Sequence, residues 1–154
     1  MAGDWIAAAN CVRLALALAP DRADLKQRYA ALSQRVAASL AGSYEKQARY
    51  EERAGKWEAA ALAWSRVSDG RPEMAAPARA AGEAWLRAGQ QLRQAQRYAQ
   101  RAVDLEPKGV ANLVLLARVY LAAGLPKNAR GQLQRAQALD ASHPDVQELF
   151  KEVG

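Results

Sequence analysis

The sequence predicts an all-α fold built as an array of antiparallel helix pairs, and three observations carry that prediction. The first is composition. Of 154 residues 37 are Ala, against 9 Val, 1 Ile and no Thr. Alanine is the best helix former, and β-branched side chains favour strands. The second is a repeated phrase: Ala54-Gly55-Lys56-Trp57, Ala88-Gly89-Gln90-Gln91 and Ala123-Gly124-Leu125-Pro126, with glycines 34 and 35 residues apart. The third is a run of apolar residues between Pro20 and Gly55. Leu25, Tyr29, Leu32, Val36, Leu40 and Tyr44 follow one another at steps of three and four, one face of a helix.

The elements follow in order. Gly3-Asp4-Trp5 parallels Gly55-Lys56-Trp57, and Ala8, Val12 and Ala15 then stand where Ala60, Trp64 and Val67 stand. Residues 1–20 therefore read as the second half of a repeat unit, a helix over 4–19 without its preceding partner. The expectation is a fragment of a larger protein, or a half-repeat completed by another domain or subunit. Helix 4–19 is accordingly a candidate for homo-oligomer contacts. Residues 21–54 read as one long helix from about Arg22 to Ala54, roughly 50 Å long at 1.5 Å per residue. Gly42-Ser43 is its weakest point, and two helices with a turn there are the alternative. Three units follow, 41–74, 75–108 and 110–143. Their second helices repeat small and apolar residues at helical spacing: Ala60, Trp64, Val67; then Ala95, Ala99, Ala102; then Ala129, Leu133, Ala136. Glycine after each first helix suits a left-handed turn. Pro72 and Pro107 stop the second helices of units one and two. Residues 144–154, with Val146, Leu149, Phe150 and Val153 on one side, read as a capping helix.

Charge is unevenly distributed. The net charge is +6, of which residues 71–135 carry +7, residues 1–70 carry +2 and residues 136–154 carry −3. Arg93, Arg97 and Arg101, at steps of four, form a candidate basic strip beside the Ala95-Ala99-Ala102 face. The longest apolar run, Leu14 to Pro20, is too short to span a bilayer. The N-terminus has no cationic leader before an apolar run, so a cytoplasmic protein without membrane contact is expected. One Cys and one His leave no metal site to expect, and no cofactor either. Cys11 reads as a part-buried, inert thiol. A phosphate-binding Gly-rich loop and a Gly-x-Ser-x-Gly elbow are both absent, and Cys11 and His143 lie at opposite ends. Glu51, Glu52 and Glu58 among Arg49, Arg53 and Lys56 read as helix-surface ion pairs. Trp5, Trp57, Trp64 and Trp85 occupy framework positions and read as core. No enzyme is expected.

A period near 34 residues with this punctuation resembles the tetratricopeptide repeat (TPR). Unit three fits best, with Leu113, Leu116-Ala117 and Tyr120 where that family has a bulky residue, a small pair and an aromatic. The resemblance implies a TPR-like α-solenoid of antiparallel helix pairs with a long connecting helix and a C-terminal capping helix. It implies a non-enzymatic scaffold that binds a peptide or helix in a concave groove formed by the first helices. Carried over position by position, the groove residues are Glu45, Arg49 and Glu52 in unit one. Unit two offers Arg79, Glu83 and Leu86, and unit three Ala111, Val114, Leu115, Arg118 and Leu121. Val114, Leu115 and Leu121 would form an apolar patch. Relatives that clamp the acidic tails of heat-shock chaperones use Lys, Asn and Arg where this chain has Glu45, Arg49, Ala80, Ala111 and Leu115, so that ligand is not expected. The expected partner is a protein or peptide, or another domain of the parent chain. Self-association through the N-terminal helix and binding of an acidic partner or nucleic acid by the basic middle segment are the alternatives; nucleic acid ranks low. The stretch Gln47 to Ala60 also resembles helical arms of larger bacterial multidomain proteins, some with J domains. His143-Pro144-Asp145 spells the J-domain tripeptide, but without the preceding basic helix it reads as a repeat-closing loop.

Overall fold

The computed structural model describes all residues 1–154. Eight α-helices and no strands make up the chain: α1 (Ala2–Leu18), α2 (Ala23–Arg53), α3 (Trp57–Gly70), α4 (Ala75–Ala88), α5 (Leu92–Leu105), α6 (Val110–Ala122), α7 (Pro126–Leu139) and α8 (Pro144–Glu152). This is a TPR-like α-solenoid. Helices adjacent in sequence pack on each other, α4 also touches α6, and α2 and α4 line one cleft, so α2, α4 and α6 form one layer. Hydrogen bonds tie α5 to α3, which places the second helices in the other layer.

α2 runs for 31 residues without interruption through Gly42-Ser43. A Cβ at Gly42 would meet nothing within 4 Å, and Ser39 returns its hydroxyl to the Val36 carbonyl, so neither neighbour forces a break. α1 packs on α2, and α3 pairs with α2 from Gln34 and Ala37 on to Glu52. Glycines 55, 89 and 124 have φ of 70°, 75° and 72°. An L side chain is strained there, which explains why glycine recurs at that point of each unit. Pro126 and Pro144 sit in the first turn of α7 and α8, where the missing N–H costs nothing.

The interior is made of small residues. Ala48, Ala60, Ala61, Ala78, Ala81, Ala95, Ala99, Ala102, Ala129 and Ala136 are fully buried. Larger side chains, among them Leu113, Leu116, Val119 and Leu133, fill the spaces between. Where polar groups are buried they are mostly bonded. The Trp85 indole N–H donates to Ser65 Oγ (2.9 Å), and Ser65 donates to the Ala61 carbonyl (2.7 Å), joining α4 to α3. Asn112 donates to the Ala102 carbonyl at the end of α5.

α1 differs from the other helices. Only Val12 is buried, while Ile6, Leu14 and Leu18 are exposed. Cys11 is exposed too, which corrects the expectation of a part-buried thiol. The reason is geometric: α1 leans on α2 alone through the side bearing Trp5, Val12 and Leu16, and Cys11 lies on the other side.

The tightest helix contact sets a stability test. A Cβ at Gly70 would lie 2.4 Å from the Ala37 carbonyl oxygen, a backbone atom that has no rotamer to retreat into. Gly70→Ala should therefore destabilise the fold by about 2 kcal/mol or more, read from urea unfolding. Gly42→Ala, in open space within α2, should be neutral or stabilising by up to about 1 kcal/mol.

Candidate functional site

The main cleft lies where the last turns of α2, the start and middle of α3 and the exposed face of α4 meet. It encloses about 500 Å³. Glu45, Arg49 and Glu52 enter from α2 at helical spacing, and Arg79, Glu83 and Arg87 do the same from α4. Trp57, Trp64 and Met74 supply its apolar wall, and Arg71 closes it from the turn after α3.

The charges in this cleft are largely committed to one another. Glu45 accepts from Arg71 (2.7 Å) and Arg49 (3.0 Å). Glu83 accepts from Arg87 (3.0 Å). Glu52 accepts the Trp64 indole N–H at 2.7 Å. The guanidinium of Arg87 lies 4.5 Å from the centre of the Trp57 ring, and that of Arg49 5.4 Å from the Trp64 ring. Such stacking holds a guanidinium in place while leaving its edge free. Of the four arginines, Arg79 alone has no carboxylate partner, although its side chain is half-buried in the cleft. The Arg71 guanidinium, and after it Arg49, hold the Glu45 carboxyl below the usual carboxylate range.

Five of the residues expected in the groove meet here: Glu45, Arg49, Glu52, Arg79 and Glu83. Leu86 does not line the cleft; it is half-buried and packs on the core. The expected apolar patch is absent. Val114 and Leu115 are only 3% and 5% exposed, and Leu121 is half-buried against the core. The physical reason is that α6 is apolar over most of its surface and packs against α4, α5, α7 and α8. Arg118 faces α8 and pairs with Asp145 at 3.2 Å, so the capping helix takes up that charge.

Trp57, Trp64, Arg71, Met74 and Arg87 were missed by the sequence reading. Trp64 and Trp85 are buried as expected, but Trp57 is half-buried at the cleft edge and Trp5 lies half-buried under Arg35. The i, i+4 spacing of Glu83 and Arg87 was a usable signal; Arg71, in a turn, left none. Among the acids, Glu51 reaches Lys56 only at 3.9 Å, and Glu58 forms no ion pair. No cluster of His, Cys, Asp or Glu is arranged to hold a metal, and no helix is long and apolar enough to cross a membrane.

Comparison with known proteins bears on the fold. Residues 86–150 match the tetratricopeptide repeat family model. The fold is similar to the TPR domain of Arabidopsis OM64, with 13% identity and a TM-score of 0.67 over 76% of this chain and 96% of that one. It is also similar to the second TPR domain of human RPAP3, solved in complex with the HSP70 peptide SGPTIEEVD, with 14% identity and a TM-score of 0.69 over 76% and 97%. The P58(IPK) TPR domain is similar along 98% of this chain, at 17% identity and a TM-score of 0.60; this chain covers 41% of it. No curated protein matches the sequence.

The Glu45 cluster gives a pH test. Folding lowers the affinity of this carboxyl for protons, so its stabilisation is complete above the ordinary glutamate value, about pH 4.3. It is lost as the pH falls through the lower folded value. Glu45→Gln should cost about 1 kcal/mol at pH 6, mostly through the better-buried Arg71 contact. The gap between variant and wild type in urea unfolding should narrow progressively as the pH falls below the ordinary glutamate value.

Proposed function

We propose, from the premise that the chain is a tetratricopeptide-repeat solenoid, that it binds a peptide segment of a partner protein in the cleft between α2, α3 and α4. TPR domains are protein–protein interaction modules, which sets the class of function. In this reading residues 41–74, 75–108 and 110–143 are the three repeat units and the first two build the site.

The observation that carries the reading is the unpaired, half-buried Arg79 in a cleft whose other cations are already held. An unpaired guanidinium in a cleft walled by Trp57, Trp64 and Met74 favours a segment with one carboxylate and a neighbouring apolar or aromatic side chain. The remaining edges of Glu52 and Glu83 favour a basic residue next to it. A ligand of mixed charge fits better than a run of acids, because Glu45, Glu52 and Glu83 line the same space. The reading names no enzyme activity and needs no cofactor.

A peptide library displayed on phage and selected against the full chain supplies the probes. Selected peptides, titrated by fluorescence anisotropy, should bind Arg79→Glu at least tenfold more weakly and Arg93→Glu, on the opposite layer, unchanged. Equal affinity for the Arg79 variant would overturn the reading. The acidic peptide SGPTIEEVD should show no saturable binding.

A second reading has its own support. Ile6, Leu14 and Leu18 leave α1 with an exposed apolar side, and a helix that is apolar all round is ordinarily covered. Self-association through α1 would cover it. Light scattering should then show a mass that rises with concentration for the wild type and stays monomeric for Leu14→Asp. A monomer at every concentration removes this second reading and leaves the first intact.

A further inference from the structure

On α5, directly opposite its buried Ala95-Ala99-Ala102 side, lies a shallow depression of about 530 Å³. It is lined by Arg93, Gln96, Arg97, Gln100, Arg101 and Asp104, with no hydrophobic residue among them. The groove reading makes no use of it. We propose that this face of α5 is a docking surface for the phosphate backbone of a single-stranded nucleic acid.

Charge comes first. Across α5 and α7 there are six basic residues, Arg93, Arg97, Arg101, Lys127, Arg130 and Arg135, and one acid, Asp104. The surrounding protein does not neutralise the exposed ones. Arg93, Arg97, Lys127 and Arg135 have no carboxylate partner, and Arg135 donates only to Gln132. Asp104 is engaged by Gln100 at 2.8 Å.

Part of the strip is fixed in place. Arg101 is anchored by Asp69 (2.8 Å) and Ser68 (3.0 Å) on α3, and it flanks the Tyr98 ring that Arg97 flanks from the other side. Arg101 therefore acts as a positioning residue, and Arg93 and Arg97 remain as the free contacts. Arg130 is likewise occupied by the Val153 and Gly154 carbonyls.

The chemistry of the lining decides between kinds of partner. A protein partner needs an apolar or aromatic anchor at the centre of its interface. This face has none. A surface of arginine and glutamine matches nucleic-acid interfaces, which are polar and strongly positive and in which those side chains donate to phosphate oxygens. Arg93 and Arg97 are one helical step of four apart, about 6 Å along α5. That is close to the separation of successive phosphates on one strand. No stacking platform faces outward, so backbone contacts without sequence preference are expected.

The test uses the full chain and a fluorescein-labelled 20-nucleotide oligouridine in anisotropy titrations. The two phosphate contacts of Arg93 and Arg97 predict an affinity loss of roughly sevenfold between 50 and 200 mM KCl. The double variant Arg93→Glu/Arg97→Glu should bind at least tenfold more weakly at 50 mM, and Arg79→Glu, in the groove, should bind like wild type. Both altered positions are exposed, and an unchanged circular-dichroism melt verifies folding. Three outcomes overturn the proposal: no binding at 50 mM KCl, binding unaffected by the double variant, or equal affinity for polyglutamate of matched length, which would point to an acidic protein instead. None of them bears on peptide binding in the groove.

Discussion

The closeness of the helices is the constraint on which everything else depends. Gly70 meets the Ala37 backbone, and a Cβ at Gly82 would lie 3.0 Å from the Ala99 nitrogen. Contacts that short admit no larger side chain, and the buried alanines extend them from α2 to α7. Small residues bring little apolar area each, so the core is thin and its order comes from close packing. A thin core also explains why the two layers are each one helix deep. Every helix then has one side in the interior and another at the surface, except α6, which is covered on nearly all sides.

That geometry disposes the cations differently on the two layers. In the cleft of the first layer, α2 and α4 stand close enough for arginines from both to share one space with the tryptophans of α3. Three of the four are fixed by carboxylates, two of them also by aromatic rings, and Arg79 is left free. On the second layer, Arg101 is held by Asp69 against the Tyr98 ring, while Arg93 and Arg97 stand free beside glutamines and Asp104. The same residue type is thus embedded in a tryptophan-walled, mixed-charge site on one side and lines an outward-facing polar one on the other. A guanidinium beside indole rings suits a side chain with an apolar body; one among amides suits phosphate.

The fold was legible because the evidence for it is periodic. Glycines 55, 89 and 124 recur at one point of each unit for one backbone reason, and small residues recur at helical spacing for one packing reason. The site was legible only where it lies on periodic elements, as with Glu45, Arg49, Arg79 and Glu83. Arg71 belongs to a turn and Trp57 to a helix start, and no repeat pattern distinguishes a cleft tryptophan from a core one. Val114 and Leu115 were misread for a related reason. Their register faces the groove in a typical unit, but burial depends on what covers a helix, and here Leu115 lies against Gly82 of α4. Cys11 was misread because α1 looks like a second helix in sequence and lacks the neighbours that would bury one.

α1 shows where such reasoning stops being local. Its spacing of Ala8, Val12 and Ala15 matches that of α3, yet Ala60 and Val67 in α3 are fully buried while α1 buries Val12 alone. The difference lies in what surrounds the helix: α1 packs chiefly on α2, while α3 packs between α2 and α4. A repeat motif specifies the face a helix offers. What covers that face is specified by the neighbouring helices, and α1 has chiefly α2 against it, which leaves Ile6, Leu14 and Leu18 exposed.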